Sequence, residues 1–307
     1  MKREELSIIS VMGETLSWRI WTPEENAIRG VVQLVHGMAE HIDRYEETAR
    51  ALTDAGFAVS GHTHAGHGLN TKNPGWFGEK NGWQNLIDDV HAVRMQTAER
   101  FPGVPYFILG HSMGSFIVRC YLTQHADGLT GAVISGTGDF PNIVAGAGLT
   151  VANLVCLLGG ARKPSKLIND IAFASNNKPF EPARTPFDWL SRDTVQVDRY
   201  VADPACGFLF TGAGYRDLFR GLLCMNDQAA MKKIPLHLPL LFISGDHDPV
   251  GGMGKGVNAV AQRMRDNGLE HIDVRLYKDG RHEMFNETNC ADVWRDLARW
   301  LKAQLGE

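Results

Sequence analysis

Short strand-like runs alternate with helical periods along most of this 307-residue chain. Apolar, β-rich runs that each end in Gly or a polar cluster occupy residues 30–35, 57–59, 106–109, 132–134, 240–243 and 272–276. Two earlier runs, near residues 7–11 and 16–21, resemble an antiparallel hairpin. Because alternating strands and helices build βαβ units, the pattern predicts an α/β fold with a mostly parallel sheet and helices on both faces.

The segments between the strands carry apolar residues at helical spacing. In the first segment Tyr45, Ala49 and Leu52 share one face, with Asp43 as the expected N-cap and Gly56 as the stop. Similar faces follow in three later segments: Trp83, Leu86, Ile87, Val90 and Ala98; then Val257, Val260, Ala261 and Met264; then Val293, Leu297 and Leu301.

One region interrupts the alternation. Between residues 139 and 232 the apolar pattern is irregular and poor in strands, and residues 140–161 carry no charged side chain. That stretch is long enough to span a membrane, but Pro141, two asparagines and four glycines dilute its hydropathy. We therefore predict a core made of residues 1–138 and 233–307, with a helical cap inserted at 139–232.

Composition excludes several classes of protein. A net charge of −4 gives no electrostatic basis for binding nucleic acid. Five scattered cysteines form neither a disulfide framework nor a zinc pattern. Glu4 and Glu5 stand where a signal peptide would have its apolar region, so we expect a cytoplasmic protein.

The stretch "FILGHSMGSFI" places Ser112 between Gly110 and Gly114, after an apolar strand and before a helical segment. In a sharp strand-to-helix turn the residues two positions either side of the centre lie too close for side chains, which explains the glycines. The central hydroxyl then projects at a helix N-terminus, where a developing negative charge is favoured. The pattern predicts that Ser112 is a nucleophile.

A serine nucleophile needs a base and a carboxylate that orients it. "GDHDPVGG" and "KDGRHEMFNE" each follow a predicted strand, so their polar residues belong at the carboxyl edge of the sheet. His282 is therefore the expected base, and the acid is Asp248 or Asp246. We favour Asp248, because Pro249 fixes the turn after it and it lies further beyond the strand end.

Two backbone N–H groups are needed to hold the oxyanion. Met113, which follows the serine, supplies the first. In "VVQLVHGMAEH" Gly37 allows close backbone approach, and Met38 is the candidate second donor. His36 and His111 fit no position in a catalytic triad and are expected to be structural.

The motifs "HGMAEHIDRYEETARALTDAGFAV", "GHG", "GHSMGS", "GDHDPVGG" and "RHEMFNE" together resemble the monoacylglycerol lipase and bacterial lysophospholipase group of α/β-hydrolases. In the cap, "NNKPFEPARTPFDWLSRD" and "DPACGF" resemble bacterial proteins described as lysophospholipases. The resemblance implies an α/β-hydrolase fold, a triad of Ser112, Asp248 and His282, and oxyanion donors at Met38 and Met113.

The chain departs from that family at two places. Ala39 stands where the family often has Gly, and in "HTHAGHG" Thr63 and Ala65 replace the usual Asp and Arg. The loop is structural in the family, so the departure concerns local packing.

The same loop suggests a metal as an alternative. His62, His64 and His67 approach the ligand pattern of binuclear metallohydrolases, and three histidines that close could bind zinc. However, Gly66 occupies the position that needs an Asp, and no downstream ligand set accompanies them. We expect no metal and no cofactor.

These observations predict a serine hydrolase that cleaves esters of monoacyl lipids, monoacylglycerol or lysophospholipid, through an acyl-enzyme. Leu149, Leu154 and Leu158 in the uncharged part of the cap suit an acyl-chain pocket and peripheral contact with a membrane, although a core-packing role fits them equally well. The alternatives are a carboxylesterase or thioesterase acting on smaller acyl groups and, more remotely, a zinc metallohydrolase or a non-catalytic binding protein.

Overall fold

The structure is a computed structural model that describes residues 1–24 and 27–307. In these residues eight strands form one sheet in the order β1-β2-β4-β3-β5-β6-β7-β8. The strands are β1 (Lys2–Ile9), β2 (Thr15–Thr22), β3 (Gly30–Val35), β4 (Phe57–His62), β5 (Tyr106–His111), β6 (Gly131–Ser135), β7 (Leu240–Gly245) and β8 (Ile272–Tyr277). Pairing is antiparallel from β1 to β4 and parallel across the rest, which confirms both the hairpin and the mostly parallel sheet.

The central strands are buried on both faces. Every residue of β3 to β7 is buried, as expected for parallel strands covered by helices on each side. This explains why these strands appear in the sequence as mostly apolar runs without strict alternation. The exposed residues of β1 place it at the edge of the sheet.

Helices cover the sheet in two layers. The helices are α1 (Glu46–Asp54), α2 (Gly82–Arg100), α3 (Met113–His125), α4 (Asn142–Val155), α5 (Lys166–Phe173), α6 (Thr194–Ala202), α7 (Gly212–Cys224), α8 (Gln228–Met231), α9 (Lys255–Asp266) and α10 (Cys290–Ala303). The apolar faces of α1 and α10 share one core cluster with the sheet, and those of α2, α3 and α9 share the other. All the residues predicted for these faces are buried except Ala98, which is partly buried.

The expected N-cap of the first helix is wrong. A 3₁₀ turn, Ile42–Tyr45, precedes α1, so Asp43 lies inside that turn and does not cap the helix. Its carboxylate instead accepts hydrogen bonds from Arg19 and Arg3, which ties the turn to the β1–β2 hairpin. The glycine stop is correct, since Gly56 has a φ of +94° just after the helix.

Between β6 and β7 the described chain has helices and turns and no strand. Within this insertion α7 packs on the core, where Gly221 lies so close to Trp83 that a Cβ would be 2.2 Å from its ring. α4 in turn packs on α7, with Gly148 against Phe219. The insertion thus matches the helical character predicted for residues 139–232, while its role as a cap stays a prediction.

The segment Asn142–Gly160 is long and apolar enough to cross a membrane by length and composition, with a mean hydropathy of 1.9. Only 11% of it is buried. Small residues, Ala145 and Ala152, form its buried side, whereas Ile143, Leu157 and Leu158 are exposed. This part of the insertion therefore presents a large apolar surface to its surroundings.

Candidate active site

Ser112 occupies a strained turn between β5 and α3, with φ 52° and ψ −121°. A Cβ on Gly110 would lie 2.3 Å from the carbonyl oxygen of Gly114, and a Cβ on Gly114 would lie 2.0 Å from that of Val35. Such contacts are impossible for real side chains, so both positions require glycine. The structure confirms the sharp strand–turn–helix geometry and the reason for its two glycines.

The loops after β7 and β8 bring an acid and a histidine together. Nδ1 of His282 lies 3.0 Å from both carboxylate oxygens of Asp248, and both side chains are buried. The carboxylate is held in turn by the Val250 N–H at 2.9 Å and the Ser244 hydroxyl at 3.3 Å. Asp246 instead accepts a hydrogen bond from His247 at the surface. Of the two candidate acids, Asp248 is the one that faces the histidine.

The surroundings of His282 favour its protonated form. Burial alone would lower the pKa of this imidazole, but the charge and hydrogen bond of Asp248 raise it, helped by Glu283 and Glu40, and the net shift is upward. Nε2 of His282 has no hydrogen-bond partner among the described residues, so this nitrogen is available and the bond to the Ser112 hydroxyl is not formed in this conformation. Catalytic hydrogen bonds are often loose in the absence of substrate.

Two rings enclose the imidazole of His282. The centroid of Trp189, from the inserted segment, and that of His111 each lie 4.9 Å from it. Burial and the neighbouring His282 lower the pKa of His111 to about 3, so His111 is a neutral packing partner. Its Nδ1 lies 3.3 Å from the Ser135 hydroxyl, which agrees with the structural role expected for it.

The two expected oxyanion donors lie on either side of the serine. Met113 is the first residue of α3, so its N–H has no intrahelical acceptor. The Met38 N–H likewise has no acceptor among the described residues. A Cβ on Gly37 would lie 3.1 Å from Cβ of Ser112, so the loop that carries Met38 packs directly against the serine. We call residues 36–40 the oxyanion loop.

A buried charged cluster next to the site was not predicted from the sequence. Arg44 donates hydrogen bonds to Glu40, in the oxyanion loop, and to Glu283, beside His282. The sequence signals were the charged residues in "EHIDR" and "RHE", but nothing local showed that segments 239 residues apart meet.

The histidines of the "HTHAGHG" loop form a buried cluster with His36. The backbone N–H of His64 donates to Nε2 of His36 at 2.9 Å, and the ring Nδ1 of His64 lies 3.3 Å from Nε2 of His62. Nδ1 of His67 lies 3.1 Å from the Ala65 carbonyl oxygen. Burial lowers the pKa of His62 to about 3 and that of His67 to about 4, so the cluster is neutral. Nδ1 of His62 and Nε2 of His67 have no hydrogen-bond partner among the described residues, whereas the other contacts named here hold the cluster together.

The nonconsensus residues of that loop pack without strain. Thr63 is buried and its hydroxyl accepts the Ile42 N–H at 3.4 Å, while Ala65 is fully buried.

Elsewhere in the described chain, two groups place metal-ligand atoms within 4.8 Å of one another: His41, Asp203 and Cys206; and Asp246, His247 and Asp279. In the first group the His41–Asp203 hydrogen bond, at 2.8 Å, already pairs the two side chains.

The three leucines expected to form an acyl-chain pocket differ in exposure. Leu149 is partly buried against the core, whereas Leu154 and Leu158 are 56% and 78% exposed. The acyl-pocket role expected for these leucines stays a prediction, and in this conformation Leu154 and Leu158 face outward. They lie on the outer apolar surface because the inner side of α4 consists of small residues that allow close packing on α7.

Known proteins resemble this chain over nearly its full length. The family model described as serine aminopeptidase, S33, matches residues 26–289. A monoacylglycerol lipase of Mycolicibacterium smegmatis is 30% identical, covering 99% of this chain and 98% of that protein. The human monoglyceride lipase is 27% identical over 96% of this chain and 89% of its own. A thermostable carboxyl esterase from Bacillus coagulans, solved with glycerol, superposes with a TM-score of 0.90 at 32% identity, covering 99% of each chain.

Proposed function

The chain belongs to the serine aminopeptidase S33 family of α/β-hydrolases, within its monoacylglycerol lipase group, and we propose on that premise that it hydrolyses monoacyl lipid esters through an acyl-enzyme on Ser112. The observation that carries the proposal is the convergence of three features at one edge of the sheet. These are the strained Ser112, the buried Asp248–His282 pair at 3.0 Å, and two unsatisfied backbone N–H groups beside the serine.

The proposed reaction has two halves. The Ser112 oxygen attacks the ester carbonyl while Nε2 of His282 takes the hydroxyl proton, and the Met38 and Met113 N–H groups hold the oxyanion. Asp248 keeps the other ring nitrogen protonated and stabilises the imidazolium. His282 then gives its proton to the leaving alcohol, and the C–O bond breaks. Water, deprotonated by the same nitrogen, releases the fatty acid and restores the serine.

Monoacylglycerol is the preferred substrate in this proposal, and lysophospholipid is the other head group considered. The names of the relatives and the apolar cap surface support a single long acyl chain. A carboxylesterase or thioesterase acting on smaller acyl groups is the second candidate, which the structural likeness to a carboxyl esterase favours.

The family description also raises peptide N-termini as substrates. An aminopeptidase site needs a free carboxylate near the nucleophile to pair with the α-ammonium group. The buried acids beside this site, Glu40 and Glu283, are both already paired with Arg44. This arrangement supports an ester substrate over a peptide.

We further propose that the cap makes peripheral contact with a membrane from the cytoplasmic side. Ile143, Leu154, Leu157 and Leu158 are 56–87% exposed on one uncharged segment, and apolar surfaces of this kind bury themselves at the lipid interface. Such contact would bring the site to substrates that reside in membranes.

A substrate panel and one substitution test the proposal. Monoacylglycerols, lysophospholipids, short-chain esters and thioesters are compared, and we expect monoacylglycerols to have the highest kcat/KM. A fluorophosphonate should label the protein at Ser112, and Ser112→Ala should abolish labelling and lower turnover by about 10⁴–10⁶-fold. Ser175→Ala, at an exposed cap serine, is the matched control. Labelling that survives at full rate in Ser112→Ala contradicts the proposal.

A further inference from the structure

Arg44 is the centre of a buried charged cluster that the proposed chemistry does not use. Its Nη1 and Nη2 each lie 2.7 Å from an oxygen of Glu283, and Nη1 also contacts Glu40. The side chains of Arg44, Glu40 and Glu283 are 11%, 3% and 6% exposed. We call these three residues the Arg44 cluster.

The Glu40 side of the cluster fixes the oxyanion loop. One carboxylate oxygen of Glu40 accepts the Gly37 N–H at 2.5 Å and the Tyr45 hydroxyl at 2.8 Å. The first of these bonds closes the turn that contains Met38, whose N–H is a proposed oxyanion donor. The other Glu40 oxygen contacts Arg44, so the guanidinium determines where this carboxylate lies.

The Glu283 side fixes the loop that carries the base. Glu283 directly follows His282. Its carboxylate accepts hydrogen bonds from both terminal nitrogens of Arg44 and from Nδ2 of Asn286 at 2.9 Å. Its backbone N–H donates to the Leu190 carbonyl oxygen of the inserted segment at 2.7 Å. Arg44 therefore joins the oxyanion loop and the base loop through one planar group.

The inserted segment touches the same cluster. The guanidinium carbon of Arg44 lies 4.8 Å from the ring centroid of Tyr200, whose hydroxyl donates to the Ala39 carbonyl oxygen at 3.1 Å. The Gly207 N–H donates to the same oxygen at 2.9 Å. The position of residues 200–207 therefore affects the oxyanion loop directly, through two hydrogen bonds to the Ala39 carbonyl oxygen.

Buried ion clusters are a poor way to stabilise a fold, because desolvation offsets much of the attraction and apolar residues of similar volume often do as well. What they fix is geometry, since a bidentate arginine permits few arrangements. We propose that Arg44, with Glu40 and Glu283, is a positioning residue that aligns the oxyanion loop with His282. This inference rests on the proposed function, because it assigns the cluster a role in that same reaction.

The decisive variant removes every charge of the cluster at once: Glu40→Gln, Arg44→Met and Glu283→Gln together. It leaves no buried charge unpaired, so we expect it to fold with a Tm near that of the parent protein. We expect kcat on a monoacylglycerol to fall about 10²-fold, because displacements of about 1 Å in reacting groups cost rates of that order. KM should change by less than about threefold, since misalignment of reacting groups weakens binding of the transition state more than binding of the substrate.

A pH profile supplies a readout that a purely structural role would not move. The charges of Asp248, Glu283 and Glu40 raise the pKa of His282, and the neutral ring of His111 lies 4.9 Å from it. Glu283→Gln removes one of those charges, so the acid limb of kcat/KM should move to lower pH. The acid limb of Arg263→Met should stay in place, although this control breaks another ion pair, in which Nη2 of Arg263 lies 2.9 Å from both carboxylate oxygens of Asp139.

The outcomes separate the two proposals. If the parent protein neither reacts with a fluorophosphonate nor hydrolyses monoacyl esters, the proposed function fails. If the parent is active and the folded triple variant keeps its kcat, the positioning role is refuted. Should the triple variant not fold, Arg44→Lys and Glu283→Gln decide. Lysine keeps the positive charge but cannot form the bidentate hydrogen bonds. An unchanged kcat in Arg44→Lys, together with an unmoved acid limb in Glu283→Gln, therefore also refutes the positioning role.

Discussion

Replacing Asp248 by Asn tests the acid of the proposed triad at the level of single atoms. One oxygen of Asp248 accepts the Val250 N–H at 2.9 Å, so the amide oxygen of Asn should keep that position. The amide nitrogen then takes the other position, 3.0 Å from Nδ1 of His282 and 3.3 Å from the Ser244 hydroxyl. Two N–H donors would face each other there, which favours the tautomer with its proton on Nε2.

That tautomer cannot accept the proton of Ser112, and the imidazolium has also lost its counter-charge. The combined loss in kcat should be about 10⁴-fold, which corresponds to roughly 5.4 kcal/mol of transition-state stabilisation. KM should change little, because Asp248 is fully buried behind the imidazole. Because Asp248 raises the pKa of His282, the residual activity should also persist to lower pH.

The assay is steady-state hydrolysis of a monoacylglycerol from pH 5 to 9, with circular dichroism and thermal melts to establish folding. Asp246→Asn is the matched control, since Asp246 lies two residues away in the same loop and its side chain pairs with the exposed His247. It should keep most of the activity. A folded Asp248→Asn with activity within tenfold of the parent, or a reversed ranking of the two variants, would refute the assignment.

Three further outcomes are expected. Burial raises the pKa of Asp89 to about 7, so the stability it contributes is fully present below its unfolded pKa of about 4 and is lost as the pH rises through 7. Asp89→Asn, which can still accept the Val11 N–H, should therefore melt higher than the parent at pH 8 but not at pH 5, and an equal difference at both would contradict this. Leu154→Glu or Leu158→Glu should lower activity on long-chain monoacyl lipids and on vesicles while sparing short-chain esters, with the exposed Val195→Glu on α6 as control, and equal losses on all substrates would indicate a packing role. Prolonged treatment with a chelator should leave ester hydrolysis unchanged, whereas loss of activity with recovery on adding zinc would favour a metal mechanism.

The parts of the fold that the sequence predicts best are those with a strong local cause. Residues 30–35 form a buried strand because a mostly apolar run, interrupted only by Gln33, is satisfied between two helical layers. The N-terminus of α1 was misplaced because Asp43 resembles a helix cap, whereas Arg19 and Arg3, distant in sequence, bind its carboxylate. Whether Asp43 caps the helix or pairs with these arginines can be decided only once the hairpin and the turn are known to be in contact.

The residues of the candidate site also differ in how far a local sequence pattern predicts them. Ser112 is predictable because backbone strain at one residue dictates glycine two positions away on each side, a constraint written within five residues. Asp248 and Asp246 both suited the acid position by type and spacing. The sequence favoured Asp248, because Pro249 follows it and it lies further beyond the strand end, and the 3.0 Å contact with His282, 34 residues further on, agrees with that preference.

The Arg44 cluster could not be predicted from local sequence patterns. Charged side chains are usually solvated, so Glu40, Arg44 and Glu283 have no local feature that marks them as buried. Their burial follows from the convergence of the two loops at the carboxyl edge of the sheet, which places opposite charges together where water is excluded. The proposed nucleophile, Ser112, is set by local strain, whereas the residues proposed to align the site depend on contacts across 239 positions. Substitutions in the cluster should for that reason alter rate and pH dependence more than substrate affinity.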